Sequence, residues 1–457
     1  MKPNVILINC DDLGYGDLGC YGSPVNDTPY IDFLAENGVK FNSFYASSSV
    51  CTPSRASLMT GCYAQRVELP LVLFPAAEEG LNKDEFTLGN LFQNSGYKTM
   101  LVGKWHCGDH PDTLPLKFGF DDYYGLPYSN DMGIQLNPQR LLPPLPLIHG
   151  DEIIQQQPDQ TGITERYVEK SIDFIRNSVK SDNNFFLYLA HMHVHLPLYE
   201  QKQFIEKSRN GDFGACVSSI DWSVGVLLHE LEKLSVLEDT LIIFTSDNGS
   251  TGKFGASNAP LKGTKFSNYE GGFRVPFISY WKGHIKEGVE IDNIASNIDL
   301  LPTFANLIDG KLSDNIIDGV DISEMLCGND VEKRKEFIYF CNYNLTAIRK
   351  GKYKLQISHS HMGKRPKNLP LVYDPMFLFD LENDITEDNN IINLHPEIAE
   401  DLFKSTDKTR KALGDTLTNT VGDEVRPCRK IENPQPLTIY DENHPYIISM
   451  YDKDERG

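Results

Sequence analysis

Four short apolar runs constrain this chain most: Val5–Ile8, Thr99–Val102, Phe185–Ala190 and Leu241–Thr245, each followed by polar residues. Runs of this length and continuity suit strands buried on both faces. Between them lie helical patterns. Val168, Ile172, Ile175 and Val179 recur at helical spacing, as do Val217, Ile220, Val224, Leu227, Leu228 and Leu231. A further helix is expected over Pro29–Asn37, with Thr28 as cap and Gly38 as stop. Strands alternating with helices predict an α/β fold with a mostly parallel sheet.

The pattern changes near residues 310–335, which are polar and rich in Gly and Asp. Beyond them, Phe337–Cys341, Thr346–Arg349, Tyr353–Ile357 and Leu378–Leu381 read as short strands of an antiparallel sheet, with a helix from Pro396 to Lys404 packed on it. This divides the chain into a larger α/β domain over 1–335 and a smaller C-terminal domain over 336–457. The length of 457 residues accommodates both cores. Residues 126–160, rich in Pro, Leu and Gln without clear periodicity, read as a long excursion over the sheet.

A formal charge of −21 argues against nucleic acid or an anionic membrane as a partner. An anionic substrate would need a local basic site to overcome that field. No apolar run is long enough for a signal segment or a membrane helix. The nine cysteines are scattered without C-x-x-C spacing. Together these features lead us to expect reduced thiols and a cytoplasmic setting, unless a signal has been removed.

The polar residues after the strands carry the chemistry, because the carboxyl ends of parallel strands open on one crevice. Asp11-Asp12 follows the first run, and Asp247-Asn248-Gly249 follows Leu241–Thr245. Three carboxylates and an amide oxygen suit a hard cation, Ca²⁺ or Mg²⁺. Gly103-Lys104-Trp105-His106 follows Thr99–Val102 and offers a point charge and a base. His191, His193 and His195 alternate after Phe185–Ala190 in the manner of a zinc site, but no Cys or Asp at ligand spacing accompanies them, and zinc is set aside. The basic, glycine-rich stretch Leu261–Lys265 and Glu270–Pro276 lacks the residue order of a phosphate-binding loop. In Cys51–Gly61, Thr52 is expected as N-cap, Pro53 as the first helical residue and Gly61 as the stop. Cys51 then lies at the positive end of a short helix, where free N–H groups hold anions.

Cys51-Thr52-Pro53-Ser54-Arg55 resembles the C-x-P-S-R signature of the type I sulfatases, whose fold is that of the alkaline phosphatase superfamily. Asn4–Gly22 resembles the family's opening strand with its aspartate pair, and Leu378–Glu397 its C-terminal segment. Leu126–Asp131, with Pro144–Gln157 and Arg166-Tyr167, resembles the arylsulfatase A-like branch in particular. The resemblance implies that a maturation enzyme oxidises Cys51 to formylglycine, whose hydrate attacks the sulfur of a sulfate ester. It implies Asp11, Asp12, Asp247 and Asn248, together with position 51, as the metal site, with Ca²⁺ the usual ion. Arg55 would stabilise the hydrate. Lys104, Lys265 and Ser129 would hold the sulfate. His106 would take a proton from the remaining hydroxyl, and His195 would meet the ester oxygen. Cys10 and Cys62 depart from the commoner residues at their positions.

The expected reaction is hydrolysis of a sulfate ester to an alcohol and inorganic sulfate. The expected substrate is a sulfated carbohydrate of the glycosaminoglycan hexosamine type, or an aryl sulfate. The alternatives are a phosphomonoesterase or phosphonate monoesterase of the same superfamily, and an inactive homologue that binds sulfated glycans. Pocket walls are expected from 66–86, 126–160 and 357–375. There the basic run Lys364, Arg365 and Lys367, after His359 and His361, reads first as a solvated surface loop and otherwise as a contact for a carboxylate or second sulfate of an oligosaccharide.

Overall fold

The structure, a computed structural model, describes residues 2–136, 141–358, 376–446, 451 and 453–457. The four apolar runs are strands of one ten-stranded sheet. In chain order its strands are β1 (Asn4–Cys10), β2 (Val39–Phe41), β3 (Lys98–Gly103), β4 (Asp122–Gly125), β5 (Pro146–His149), β6 (Glu152–Gln156), β7 (Phe185–Ala190), β8 (Thr240–Ser246), β9 (Phe277–Tyr280) and β10 (Val289–Ile291). They lie side by side as β10-β2-β9-β8-β1-β7-β3-β4-β5-β6. The five central strands, β8-β1-β7-β3-β4, are all parallel. Antiparallel strands flank them on both sides.

Strand alternation sends successive side chains of β1 into opposite layers. Val5 and Leu7 join the core containing Ala56 and Met59 of α2 (Cys51–Thr60), Phe92 of α3 (Leu88–Asn94) and Phe304. Ile6 and Ile8 join the core containing Leu34 of α1 (Pro29–Glu36), Ile175 of α4 (Ile163–Lys180) and Val224 of α5 (Gly211–Lys233). The sheet is therefore buried on both faces, as its apolar runs require.

Two regions differ from expectation. Residues 126–160 are an excursion only in part, because β5 and β6 extend the main sheet as an antiparallel hairpin. The short strand β4, with its two tyrosines and a glycine, carries no long apolar run to reveal it. The basic run Lys364, Arg365 and Lys367, with His359 and His361, lies outside the described residues.

The C-terminal strands β11 (Glu336–Cys341), β12 (Asn344–Lys350), β13 (Tyr353–Gln356) and β14 (Phe377–Asp380) form a separate antiparallel sheet in sequence order. Helix α6 (Pro396–Leu413) shares its core through Ala399, Leu402 and Leu413. Glu270 ties this sheet to the large one. It is fully buried and accepts hydrogen bonds from Tyr45 (2.5 Å), Tyr339 (2.6 Å) and Lys354 (3.0 Å). Arg274 (3.7 Å) and Arg349 (3.9 Å) lie close by. Burial works against its charge, but Lys354, Arg349 and Arg274 hold its carboxyl at about 2. Glu270→Ala leaves Arg274 and Arg349 buried without this anion and Lys354 paired with Glu387 alone (2.8 Å). It is expected to cost about 3–5 kcal/mol in urea unfolding; a loss below about 1 kcal/mol would show that the cluster does not hold the two sheets together.

Candidate active site

The parallel strands end level with one another. Cys10 pairs with Ser246, Asn9 with Ala190, and Gly103 with Ala190. The polar residues that follow therefore gather at one edge. Gly103 is required there: its φ is +112°, and a Cβ would overlap the carbonyl of Ala190. Asp12 takes the left-handed conformation at φ 60°, which Asp tolerates better than most residues. Its N–H donates to Asp247 Oδ1 (3.2 Å), linking the two strand ends.

Helix α2 starts two residues earlier than expected. Val50 is the N-cap, and Cys51 is the first helical residue. Thr52 does not cap the helix; its Oγ1 accepts from Leu73 N (3.1 Å). Gly61 is the stop, at φ 66°. Cys51 still lies in the first turn, where backbone N–H groups lack helical partners.

Around Cys51 the sequence-predicted residues come together as a buried charge lattice. Asp11 meets Lys104 Nζ (2.5 Å), Cys51 Sγ (3.5 Å) and Arg55 Nη2 (3.7 Å). Asp12 meets Lys265 Nζ (2.9 Å), Asn248 Nδ2 (2.7 Å) and His195 Nε2 (3.8 Å). Asp247 Oδ2 accepts from Arg55 Nε (2.8 Å), and Arg55 Nη2 lies in ion-pair range of the same oxygen (2.8 Å). Lys104 also donates to Ser129 Oγ (2.7 Å). Burial alone would strip Lys104 and Lys265 of their protons, but Asp11 and Asp12 outweigh it and both stay charged. Burial pushes the Cys51 thiol up to about 12, against the pull of Lys104 and Lys265. An unmodified thiol here is therefore protonated at neutral pH and a poor nucleophile.

The two histidines are set differently. His106 Nε2 faces the carbonyl oxygen of Leu73 (3.0 Å), so Nε2 carries the proton. Nδ1 is buried, with no hydrogen-bond partner among the described residues. Burial, with Lys104 adding to it, holds this ring well below the usual histidine range. His106 is a neutral imidazole with a free lone pair. His195 Nδ1 faces two oxygens, Asn130 Oδ1 (3.0 Å) and Leu196 O (2.7 Å), which fixes its proton on Nδ1 and turns Nε2 toward Asp12. Asn130 is a positioning residue that the sequence did not reveal. Its amide is itself fixed by Gln160 (2.9 Å) and the Pro197 carbonyl (3.0 Å), contacts between residues far apart in the chain. Gly457 lies against the other edge of His195, where a Cβ would clash with the ring. That C-terminal segment has to shift before a ligand can lie against this edge.

The donor set fits a cation. Ligand atoms of Asp11, Asp12, Cys51 and His195 lie within 4.8 Å of one another, and Asn248 Oδ1 is buried with no hydrogen-bond partner among the described residues. Carboxylate and amide oxygens suit a hard divalent ion. Among the described residues, no helix is long and apolar enough to cross a membrane.

Residues 3–310 match the sulfatase family, and residues 264–412 match the family described as N-sulphoglucosamine sulphohydrolase, C-terminal. Arylsulfatase A of Homo sapiens is 37% identical over 423 residues, covering 85% of this chain and 83% of that protein. N-acetylgalactosamine-6-sulfatase of Rattus norvegicus is 35% identical over 378 residues, covering 78% and 71%. The crystal structure of PsFucS1 sulfatase from Pseudoalteromonas sp. superposes with a TM-score of 0.81 at 28% identity, covering 92% of each chain. With the signature cysteine seated among aspartates, lysines and histidines at the carboxyl edge of a parallel sheet, the chain belongs to the sulfatase family and is a sulfatase.

Proposed function

We propose that the chain removes sulfate from sulfated carbohydrates of the hexosamine type, with Ca²⁺ at the aspartate site and formylglycine at position 51. The observation that carries the reading is the pair of buried ammonium groups, Lys104 and Lys265, held beside Cys51 by Asp11 and Asp12. Two buried cations at a helix start form a receptor for a sulfate monoanion in a protein that is otherwise strongly acidic. The carbohydrate class is supported by the likeness to N-acetylgalactosamine-6-sulfatase.

Asp11, Asp12, Asp247 and Asn248 would hold the cation, which when bound supplies fixed positive charge for the sulfate oxygens. Once oxidised and hydrated, position 51 supplies the hydroxyl nucleophile that a buried thiol cannot. The other steps belong to residues already in place. Lys104 and Lys265 hold the sulfate oxygens, and Ser129 fixes the Lys104 ammonium. Arg55, bound to Asp247, keeps a third positive group beside position 51. Preorganised donors of this kind are worth roughly 3–4 kcal/mol each in the transition state. His195, whose resting proton is on Nδ1, has to take up a second proton at Nε2, which it then gives to the departing ester oxygen. Burial and Lys265 lower its affinity for that proton, while Asp12 and Asp11 raise it. His106 takes at Nδ1 the proton released from position 51.

The test is a panel of 6-sulfated hexosamines, charged disaccharide sulfates, a steryl sulfate, an aryl sulfate, a phosphate monoester and a phosphonate monoester. The expected result is a kcat/KM on a sulfated hexosamine at least about tenfold above that on the aryl sulfate, equivalent to roughly 1.4 kcal/mol of extra recognition. Activity confined to aryl or steryl sulfates would overturn the carbohydrate assignment. Faster phosphate or phosphonate cleavage would overturn the sulfate preference.

A further inference from the structure

We infer that His193, Glu200 and Cys216 form a second metal site, separate from the aspartate site, for a borderline-soft ion of the Zn²⁺ class. The three residues come from different parts of the fold. His193 and Glu200 lie on the loop after β7, and Cys216 lies in the second turn of α5. All three are buried, and their ligand atoms lie within 4.8 Å of one another. His193 Nε2 and Glu200 Oε2 are 3.7 Å apart. An ion with bonds of about 2.0–2.3 Å spaces its ligands by roughly 3.3–3.8 Å, so small side-chain shifts complete the set.

The unpaired polar atoms point to a ligand. Among the described residues, Glu200 Oε2 and both ring nitrogens of His193 are buried without a hydrogen bond of good geometry; burial holds the His193 ring down at about 4, with Asp11 and the Tyr199 backbone opposing it. His191 Nδ1, on the same loop, is also unpartnered. Such atoms clustered inside an apolar layer call for an ion or ordered water. Neighbouring groups satisfy part of the cluster: Glu200 Oε1 accepts from Gln201 N (2.8 Å), His191 Nε2 meets Ser223 Oγ (3.1 Å), and the Ser219 hydroxyl, which donates to the Cys216 carbonyl (3.0 Å), also lies near enough to the Glu200 carboxylate to oppose the effect of burial on its charge.

One nitrogen, one oxygen and one sulfur suit Zn²⁺ and do not suit Ca²⁺. The alternating histidines suggest zinc but have no cysteine near them in sequence; packing α5 against the loop supplies Cys216. On binding, the thiol releases its proton to solvent and a metal–sulfur bond forms, with no change in oxidation state. The ion would brace the loop that carries His195, since the His193 carbonyl already accepts from Asp11 N (3.0 Å).

The test uses the full chain, with excess Ca²⁺ present throughout to fill the aspartate site. After equilibration with Zn²⁺ and desalting, one Zn²⁺ per chain is expected. Co²⁺ in its place is expected to give a sulfur-to-cobalt charge-transfer band. Cys216→Ser should remove the band and lower Zn²⁺ affinity at least about tenfold while keeping the wild-type circular dichroism. Glu200→Gln should also weaken binding, and serves as the second variant if Cys216→Ser does not fold. Wild-type protein that retains no stoichiometric Zn²⁺, or a band that persists in Cys216→Ser, overturns the assignment.

Discussion

Cys51→Ala is expected to lower turnover at least about 10⁴-fold, since removing a nucleophile from a concerted site costs on that order or more. The fold should survive. Cys51 Sγ makes a single long contact, 3.5 Å to Asp11, and loss of one buried atom costs about 1 kcal/mol. The charge lattice of Asp11, Lys104, Asp247 and Arg55 does not depend on the sulfur. Sulfate binding should therefore persist in the variant, which separates loss of chemistry from loss of the site. Steady-state assays on the best substrate of the panel, with circular dichroism as the control, read both. Mass spectrometry of the peptide containing position 51 supplies the complementary measurement. Active wild-type protein should carry the aldehyde, and fully active protein with an unmodified thiol would contradict the mechanism. Cys51→Ser should match Cys51→Ala unless the maturation enzyme of the host accepts serine.

The elements most legible in the sequence were those whose burial is complete. β1, β7 and β8 are apolar at nearly every position because both faces of the sheet are covered, so continuous runs marked them. Once these strands are taken as parallel, topology alone places Asp11, Lys104, His195 and Asp247 at one edge. Less legible were features decided by contacts between distant segments. The start of α2 depends on Leu73 occupying the Thr52 hydroxyl, which no local pattern encodes. β4 owes its existence to pairing beside β3, since its own sequence, Asp-Tyr-Tyr-Gly, has weak strand character. The Asn130 bracket on His195, and the meeting of Cys216 with His193 and Glu200, arise from packing between elements that are separate in sequence.

Removal of the divalent cation is expected to cut activity at least about 10²-fold, with recovery on adding Ca²⁺, because the transition state loses a preorganised positive charge. Without the cation, burial pushes Asp247 up to about 7, with Asp11 adding to the rise and Arg55 opposing it. The sign of the pH effect follows. An aspartate without the divalent ion, raised from its unfolded value near 3.9 to about 7, takes up more protons in the folded state. The stability of the metal-free protein should then fall as pH rises from about 4 to about 7. A bound cation keeps the carboxylate ionised and removes that penalty. The thermal stabilisation produced by Ca²⁺ should consequently be larger at pH 7.5 than at pH 5.5, and scanning calorimetry with and without Ca²⁺ at the two pH values measures it. Asp247→Asn keeps the shape of the site but loses one charged ligand. It also leaves Arg55, which in the native protein donates from Nε to this carboxylate and pairs with its charge, facing a neutral amide in a buried position. Added Ca²⁺ should fail to restore this variant at concentrations that saturate the wild type. Full recovery of Asp247→Asn at those concentrations would place the cation elsewhere, because an oxygen ligand set missing one of its three carboxylates cannot hold a hard ion with unchanged affinity.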